Sequence, residues 1–495
     1  MPKRWGDGVL SLVRLWSFQE DVLLELDSER GTAVAVSDRG ETGVAVDRAV
    51  GEALRRMVLG PVSPDNVLRP RHLGGEPEWA LFASVLDRLC DVVVHSAAGQ
   101  DGRPLLSAAP VGARARFVLP LLQPRDRVRL SRFAVLRPCG GELLVESPLA
   151  PYRVRLHRHL AVRVATALSA ATTVVDLATA LRVTRPVVTD LVAYLVAAGV
   201  VLRGDRDPPA GRTGFAEDHD PVLARWTGHD LHFHTATRHG RGDGPSGAVY
   251  PLAGRTPPPP ALRPPRPGRA VPLPRPDLAA RAATDPPLVA VVEAERGAGP
   301  PGVRAPSCAE LGELLYRTAR VRRTTRALVD GVPAHEVGDR PHVDWLGLYE
   351  LELYLCVDRC DGLARGLYHY DPAGHALTAL DADDEGLGEL LDGTRVAVGA
   401  DDRPPVLITV TLRTDRSSWV YRDTGYAMAL THVGALQQLL HLTARAMGLG
   451  PLVPPFGPGD VADRVLGLDW RAETAVGECA VGYPAAAAPD GRHGV

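Results

Sequence analysis

The sequence predicts an α+β protein made of several domains, and three observations carry that prediction. The chain has 495 residues, and at roughly 100 to 200 residues per domain it divides into about three. Strand-like runs followed by helix-like periods occur twice before residue 203. A breaker-rich segment, 203–222, then precedes a C-terminal half with its own alternation of strands and helices.

In the first stretch, 22–26 (VLLEL) and 32–36 (TAVAV) read as two strands about a turn at Glu29, Arg30 and Gly31. Ala49, Val50, Ala53, Leu54, Met57 and Val58 then recur at helical spacing. Ser63-Pro64-Asp65 is a helix-start signal, 79–89 a further helix, and 92–94 (VVV) a closing strand. The pattern returns with strands at 133–136, 142–146 and 152–156, helices at 162–168, 174–181 and from Thr184 to Gly199, and a strand at 200–202. Strands, helices and a returning strand describe a winged-helix-like module, here a tandem pair over 1–125 and 126–205. A linker at 206–225 and a C-terminal domain at 226–484 come next, with a Pro-rich insert at 254–276 and a disordered tail at 485–495. Four consecutive prolines, Pro257 to Pro260, bar the insert from an interior helix or a central strand.

Charge excludes some partners. Lys plus Arg number 56 and Asp plus Glu 59, so no electrostatic excess points to nucleic acid or an anionic membrane. The helix from Pro186 to Ala198 carries no Arg, Lys, Asn or Gln with which to read a major groove. Small modules of this kind also add a peptide strand to a sheet edge, as in leader-peptide recognition. The six cysteines lack CxxC spacing and read as reduced core thiols. The N-terminus leads into no signal-like apolar region, and no apolar run is long enough to span a bilayer, so a cytoplasmic protein is expected. His229, His232, His234 and His239, with Asp230, crowd one span but show no recognised ligand spacing, and no metal is expected.

Five phrases in the C-terminal half carry a more specific signal. They are 226–238 (WTGHDLHFHTATR), 314–322 (LLYRTARVR), 349–357 (YELELYLCV), 366–371 (GLYHYD), and the helix with its glycine exit over 425–450. In this order they resemble the SagB-type, FMN-dependent azoline dehydrogenases of thiopeptide and azole-forming pathways, which have the nitroreductase fold. The resemblance implies an FMN site held by Arg238, beside Thr237 and His234, with the turn Gly448-Leu449-Gly450 near the ring. It also implies dimer packing through the helix over 425–447. Tyr421, assisted by Arg422, would take the substrate proton while the flavin takes a hydride.

The chain departs from the family at two places. The small-residue flavin loop before the YELELY strand has become His342, Asp344 and Trp345, and the family's Lys-Tyr pair has become Val420-Tyr421. Without the cation, a phenol of pKa about 10 stays neutral. The Gly244-Pro245-Ser246-Gly247-Ala248 stretch resembles the family's flavin loop but sits in the wrong place, and is read as a decoy. Two functions are expected from this pattern. One is oxidation of thiazoline or oxazoline rings to azoles in a ribosomal precursor peptide. The other is a catalytically degenerate homologue that binds peptide or docks to a partner. The expected partners are the leader peptide, the pathway's cyclodehydratase and a second subunit, as a homodimer or heteromer.

Overall fold

The computed structural model describes residues 12–38, 40–70, 74–112, 115–206, 213–238, 247–294, 304–327, 331, 333–454 and 459–484. The expected disordered tail at 485–495 lies outside them. The chain forms two compact units, Met1–Ser246 and Gly247–Val495.

The first unit runs β1 (Val13–Phe18), β2 (Leu23–Asp27), β3 (Thr32–Ser37), β4 (Gly40–Ala45), α1 (Arg48–Leu59), α2 (Glu76–Arg88), β5 (Val93–Ala98) and β6 (Pro104–Pro110). It continues through β7 (Arg127–Leu130), β8 (Val135–Cys139), β9 (Glu142–Glu146), β10 (Tyr152–Leu156), α3 (His159–Ala167), β11 (Thr172–Thr173), α4 (Val174–Leu181), α5 (Arg185–Ala197), β12 (Val201–Gly204), α6 (Ala216–His219) and α7 (Gly228–Ala236). α1 forms where the spacing predicts it: Asp47 caps it by accepting from the Val50 amide at 2.7 Å, and Val50, Ala53, Leu54 and Met57 are buried along one face. The two expected modules are not separate bodies. One six-stranded sheet, β1-β5-β6-β10-β9-β8, takes strands from both, which places the 125/126 boundary inside a shared core. Sequence periodicity marks strands but not which strands pair, and this pairing spans most of the unit.

Of the segment expected to be a linker, the described stretch 213–225 is packed. Phe215 is buried under the guanidinium of Arg129, whose nitrogens donate to Asp218 at 2.9 and 2.7 Å. Glu217 is buried and accepts from the Ser131 hydroxyl at 2.6 Å and the Arg132 amide at 2.8 Å. α7, expected to open the C-terminal domain, falls within the first unit.

The second unit contains β13 (Gly247–Ala248), β14 (Ala270–Pro272), α8 (Leu278–Thr284), α9 (Leu288–Glu293), α10 (Cys308–Ala319), β15 (Arg323–Ala327), β16 (His335–Asp339), β17 (Leu351–Val357), β18 (Gly366–Asp371) and β19 (Ala376–Leu380). It ends with α11 (Asp384–Ala397), β20 (Val406–Arg413), α12 (Thr414–Val420), β21 (Tyr421–Arg422), α13 (Gly425–Ala446), β22 (Gly450–Leu452), α14 (Gly459–Val465) and β23 (Glu473–Gly482). Its seven-stranded antiparallel sheet has the order β14-β19-β18-β17-β20-β23-β22. β17 and β20 lie at the centre and are buried at every residue, which is why both read as near-continuous apolar runs. Leu351, Leu353 and Leu355 face α10 and α13, while Tyr354 and Cys356 face α11 and α14.

The Pro-rich insert crosses this unit as an extended strap. Arg416 and Trp419 donate to the carbonyls of Pro259 and Thr256, Arg266 lies over the Tyr354 ring, and the Ala270–Pro272 strand joins the sheet at its edge, where proline is tolerated. Among the described residues no helix is long and apolar enough to cross a membrane.

Candidate functional site

The segment leading into β17 folds back on itself. Asp344 accepts from the amides of Leu348 (2.7 Å) and Tyr349 (2.8 Å), closing a turn in which Leu346, Gly347 and Tyr349 all have positive φ. Gly347 is required there, because a Cβ would stand 2.8 Å from the Gly338 carbonyl oxygen. Below the turn lies Arg416, 2 % exposed, which donates to the carbonyls of Leu348, Glu336 and Pro259. Burial, then the nearby Arg413 charge, lowers its pKa to about 10. Val343, Trp345 and Leu346, at the crest of the turn, are exposed.

Beneath the crest a buried cluster joins this segment to α13. His432 Nδ1 lies 2.7 Å from Glu350 Oε1 and 3.4 Å from Asp344 Oδ2, while the Trp345 amide donates to His432 Nε2 at 3.1 Å. The donor atoms of Asp344, Glu350 and His432 lie within 4.8 Å of one another, a grouping compact enough for a metal ion. The hydrogen bonds favour a proton instead. Nε2 is an acceptor, so the neutral ring must carry its hydrogen on Nδ1, and a metal at Nδ1 would require an imidazolate.

Burial, and then the charge of Glu350, pushes the Asp344 carboxyl up to about 7. Burial also raises Glu350, but the hydrogen bond and charge of His432 outweigh it and hold this carboxyl below its usual range. Burial lowers His432, and the bond and charge of Glu350 with the charge of Asp344 reverse that, drawing it toward the charged form. Protonation of His432 therefore competes with its bond to the Trp345 amide.

The same segment gathers buried polar atoms that make no hydrogen bond: Arg340 Nη2, His342 Nε2, Glu350 Oε2 and Glu352 Oε1. Burial, joined by the Arg340 charge, lowers His342 to about 4 and keeps it neutral. The Arg340 guanidinium can donate there, whereas His342 gives its Nδ1 hydrogen to the Thr318 carbonyl and offers Nε2 as an acceptor, a mixed set of the kind a flavin's polar ring edge meets. They are buried, however, with Arg340 over the Tyr349 ring and His342 edge-on to it.

The residues expected from the sequence fall elsewhere. Tyr421 is buried against Leu348, Trp419 and Val420. Burial, then the charges of Asp344 and Glu350, raises its pKa, so its surroundings work against the phenolate a base requires. Arg422 is exposed and succeeds Tyr421 along the short strand β21, where successive side chains point to opposite faces and assistance is disfavoured. The stretch read as a decoy does reach this site: Gly247 and Ala248 pair with Arg422 and Tyr421. Residues 239–246 lie outside the described ones.

The turn Gly448-Leu449-Gly450 closes α13. The Gly448 amide donates to the Arg445 carbonyl and the Leu449 amide to that of Ala444, and Leu449 is buried in the core. Gly450 is small because a Cβ would meet Pro484 N at 2.9 Å, a close approach of the chain to itself. In the first unit, Thr237 spends its hydroxyl on the Phe233 carbonyl, His234 lies tilted 5.3 Å from Trp226, and Arg238 is exposed just after α7. His232 bonds the Phe133 carbonyl at 2.7 Å, a structural role for one of the four histidines. Sequence reasoning missed Glu350 and His432, whose partnership spans 82 residues. The departure at Asp344 was visible, but its role as an acceptor for the turn was not.

Comparison with known proteins places these features. Residues 128–243 match the model of the cyanobactin oxidase ThcOx, and residues 344–483 match the nitroreductase family. A candidate nitroreductase of Methanocaldococcus jannaschii is 29 % identical over 106 residues, covering 21 % of this chain; the chain spans only half the length of that relative. Among solved structures, a candidate nitroreductase from Anabaena variabilis is 20 % identical, with 50 % of this chain and 45 % of that one covered at a TM-score of 0.34. The Escherichia coli microcin synthetase complex McbBCD, with a truncated precursor bound, is 21 % identical, with 39 % and 71 % covered and a TM-score of 0.31. A candidate nitroreductase from Desulfovibrio desulfuricans, in complex with FMN, is 16 % identical, with 43 % and 94 % covered and a TM-score of 0.26. The second unit thus carries a nitroreductase-like domain over residues 344–483, in a chain whose two matched regions are both named for redox enzymes.

Proposed function

We propose that this chain is a flavin-dependent oxidoreductase that acts on a ribosomally made precursor peptide and oxidises thiazoline or oxazoline rings to azoles. The observation that carries the reading is the Asp344–Glu350–His432 cluster, which puts a carboxyl poised near neutral pH on the segment that enters β17. It is supported by the pairing of a cyanobactin-oxidase match with a nitroreductase match in one chain. When bound, FMN would supply the hydride acceptor. The chain's own task is the proton. Asp344 can hold one near neutral pH, Glu350 and His432 fix its orientation, and Tyr421, kept as a neutral phenol, serves as a hydrogen-bond donor. Arg340 and His342 would face the polar edge of the ring. Arg238, Thr237 and His234 remain proposed phosphate contacts. The leader peptide and the cyclodehydratase are the proposed partners, the working form is a dimer through α13, and the site of action is the cytoplasm.

A second reading, a degenerate homologue that binds peptide or docks to a partner, is favoured by one observation. The groups that would meet the ring, Arg340 and His342, are buried against Tyr349. Absorption between roughly 350 and 500 nm, the flavin region, separates the two. The enzyme reading expects a yellow protein after incubation with FMN, with the colour weakened by Arg340→Ala or Arg238→Ala. A protein that stays colourless at saturating FMN removes it and leaves the docking role.

A further inference from the structure

The six-stranded sheet of the first unit holds a second set of chemistry-bearing residues, apart from the Asp344 cluster of the second unit. On β6 Ser107 is the cross-strand partner of Arg155 on β10 and of Ser96 on β5. Strand register sets the rest of the group. Leu156 pairs with Leu143 on β9, so the next position on each strand brings His157 opposite Glu142, and alternation puts Arg155 and His157 on the face that carries Ser107. The distances match this layout. Ser107 Oγ lies 2.8 Å from His157 Nε2, His157 Nδ1 lies 2.7 Å from Glu142 Oε1, and Ser96 Oγ lies 2.7 Å from Ser107 Oγ. The opposite face of these strands, with Leu106, Ala108, Val154 and Leu156, is apolar core.

We propose that Ser107, His157 and Glu142 form a nucleophilic acyl-transfer site that accepts reactive acyl esters and thioesters. A carboxylate at Nδ1 holds the hydrogen there and leaves the Nε2 lone pair toward the serine hydroxyl, the tautomer a general base needs. His157 and Glu142 keep 22 % and 29 % of their side chains exposed, so the set is open to a ligand from solvent. In the step, Ser107 Oγ bonds to the acyl carbon and its proton passes to His157 Nε2. The bond from that carbon to the leaving oxygen or sulfur breaks, and the leaving group departs with the proton from His157. Water then repeats the sequence, releasing the carboxylic acid and restoring Ser107.

Charge developing on the acyl oxygen has a cation at hand. Arg155 is 45 % exposed, with Nη1 3.8 Å from Glu142 Oε2, and directly opposes Ser107 across the strands. The Ser107 amide lies within β6, so stabilisation of the acyl oxygen is assigned to Arg155, and the substrates proposed are reactive esters and thioesters.

The test is to incubate the full chain with a biotinylated fluorophosphonate and map the labelled peptide by mass spectrometry. The expected result is a single label on Ser107, formed at a rate that His157→Gln lowers about 100-fold or more and that Ser169→Ala, at an exposed position, leaves unchanged. Glu142→Gln should slow labelling less than His157→Gln does. Mapping on the unmutated chain keeps the result independent of whether Ser107→Ala folds. Absence of label under conditions that modify a known serine esterase overturns the proposal. So does a label on another serine, or an unchanged rate in a His157→Gln variant with native circular dichroism.

Discussion

Arg416→Ala should lower the stability of the second unit by about 4 kcal/mol, the largest loss expected from a single substitution here. The guanidinium is enclosed and reaches three carbonyls from three separate segments: Pro259 on the strap, Glu336 on β16 and Leu348 on the turn before β17. Removing it leaves those acceptors buried without a donor, at about 1 to 3 kcal/mol for an unsatisfied group, and opens a cavity the size of the side chain. Lysine is no substitute. One compact ammonium cannot span three acceptors held in a planar fork, so Arg416→Lys should lose at least half as much. Urea unfolding of both variants measures this, and a loss under about 1 kcal/mol for alanine would mean that the strap and the turn are held by something else.

Glu350→Gln should destabilise the protein at pH 5 by roughly 2 kcal/mol and by less at pH 8. Three groups set the sign. Asp344 has a folded pKa raised from 3.8 to about 7, so its contribution is fully present below about pH 4 and is lost as pH rises through about 7. His432 is also raised, from 6.5, and its contribution is likewise lost on the alkaline side. Glu350 is lowered from 4.5, and its contribution disappears only when the medium is more acid than that. Between pH 5 and 8 the first two govern, and wild-type stability falls as pH rises. Glutamine keeps an acceptor for His432, replaces the carboxylate that shares a hydrogen bond with Asp344 by an amide, and removes the like charge that burdens Asp344 at pH 8. At pH 5 it forfeits the ion pair with protonated His432. Thermal melts across this range give the difference at each pH directly. Parallel wild-type and variant curves would mean that the cluster carries no such coupling.

Local periodicity made much of the fold legible. The spacing from Val50 to Met57 gave α1, and the strand read in the YELELY phrase is present as β17. Pairing was not legible, because neither run says that β1 and β8 border one sheet. Proline content correctly kept 254–276 out of helices and central strands. Its role as a strap depends on Arg416 and Trp419, some 160 residues away, with bonds of 2.7 and 3.2 Å. An arginine between Asp415 and Ser417 looks like surface in a sequence and is among the most buried side chains of the chain. The site divided in the same way. Replacement of small residues by His342, Asp344 and Trp345 stood out at once, whereas the cluster with Glu350 and His432 exists only after α13 has packed against the strand entry.

The central claim, peptide-azoline oxidation, is tested most directly by incubating the purified chain with FMN and a precursor peptide that bears its leader and preformed azoline rings. Mass spectrometry then tracks the core peptide. The expected result is loss of two hydrogens per ring, slowed strongly by Asp344→Ala and weakly by Tyr421→Phe. A peptide that keeps every hydrogen with this chain alone, yet loses them when an active partner dehydrogenase is added, would contradict the claim and assign the chain a docking role.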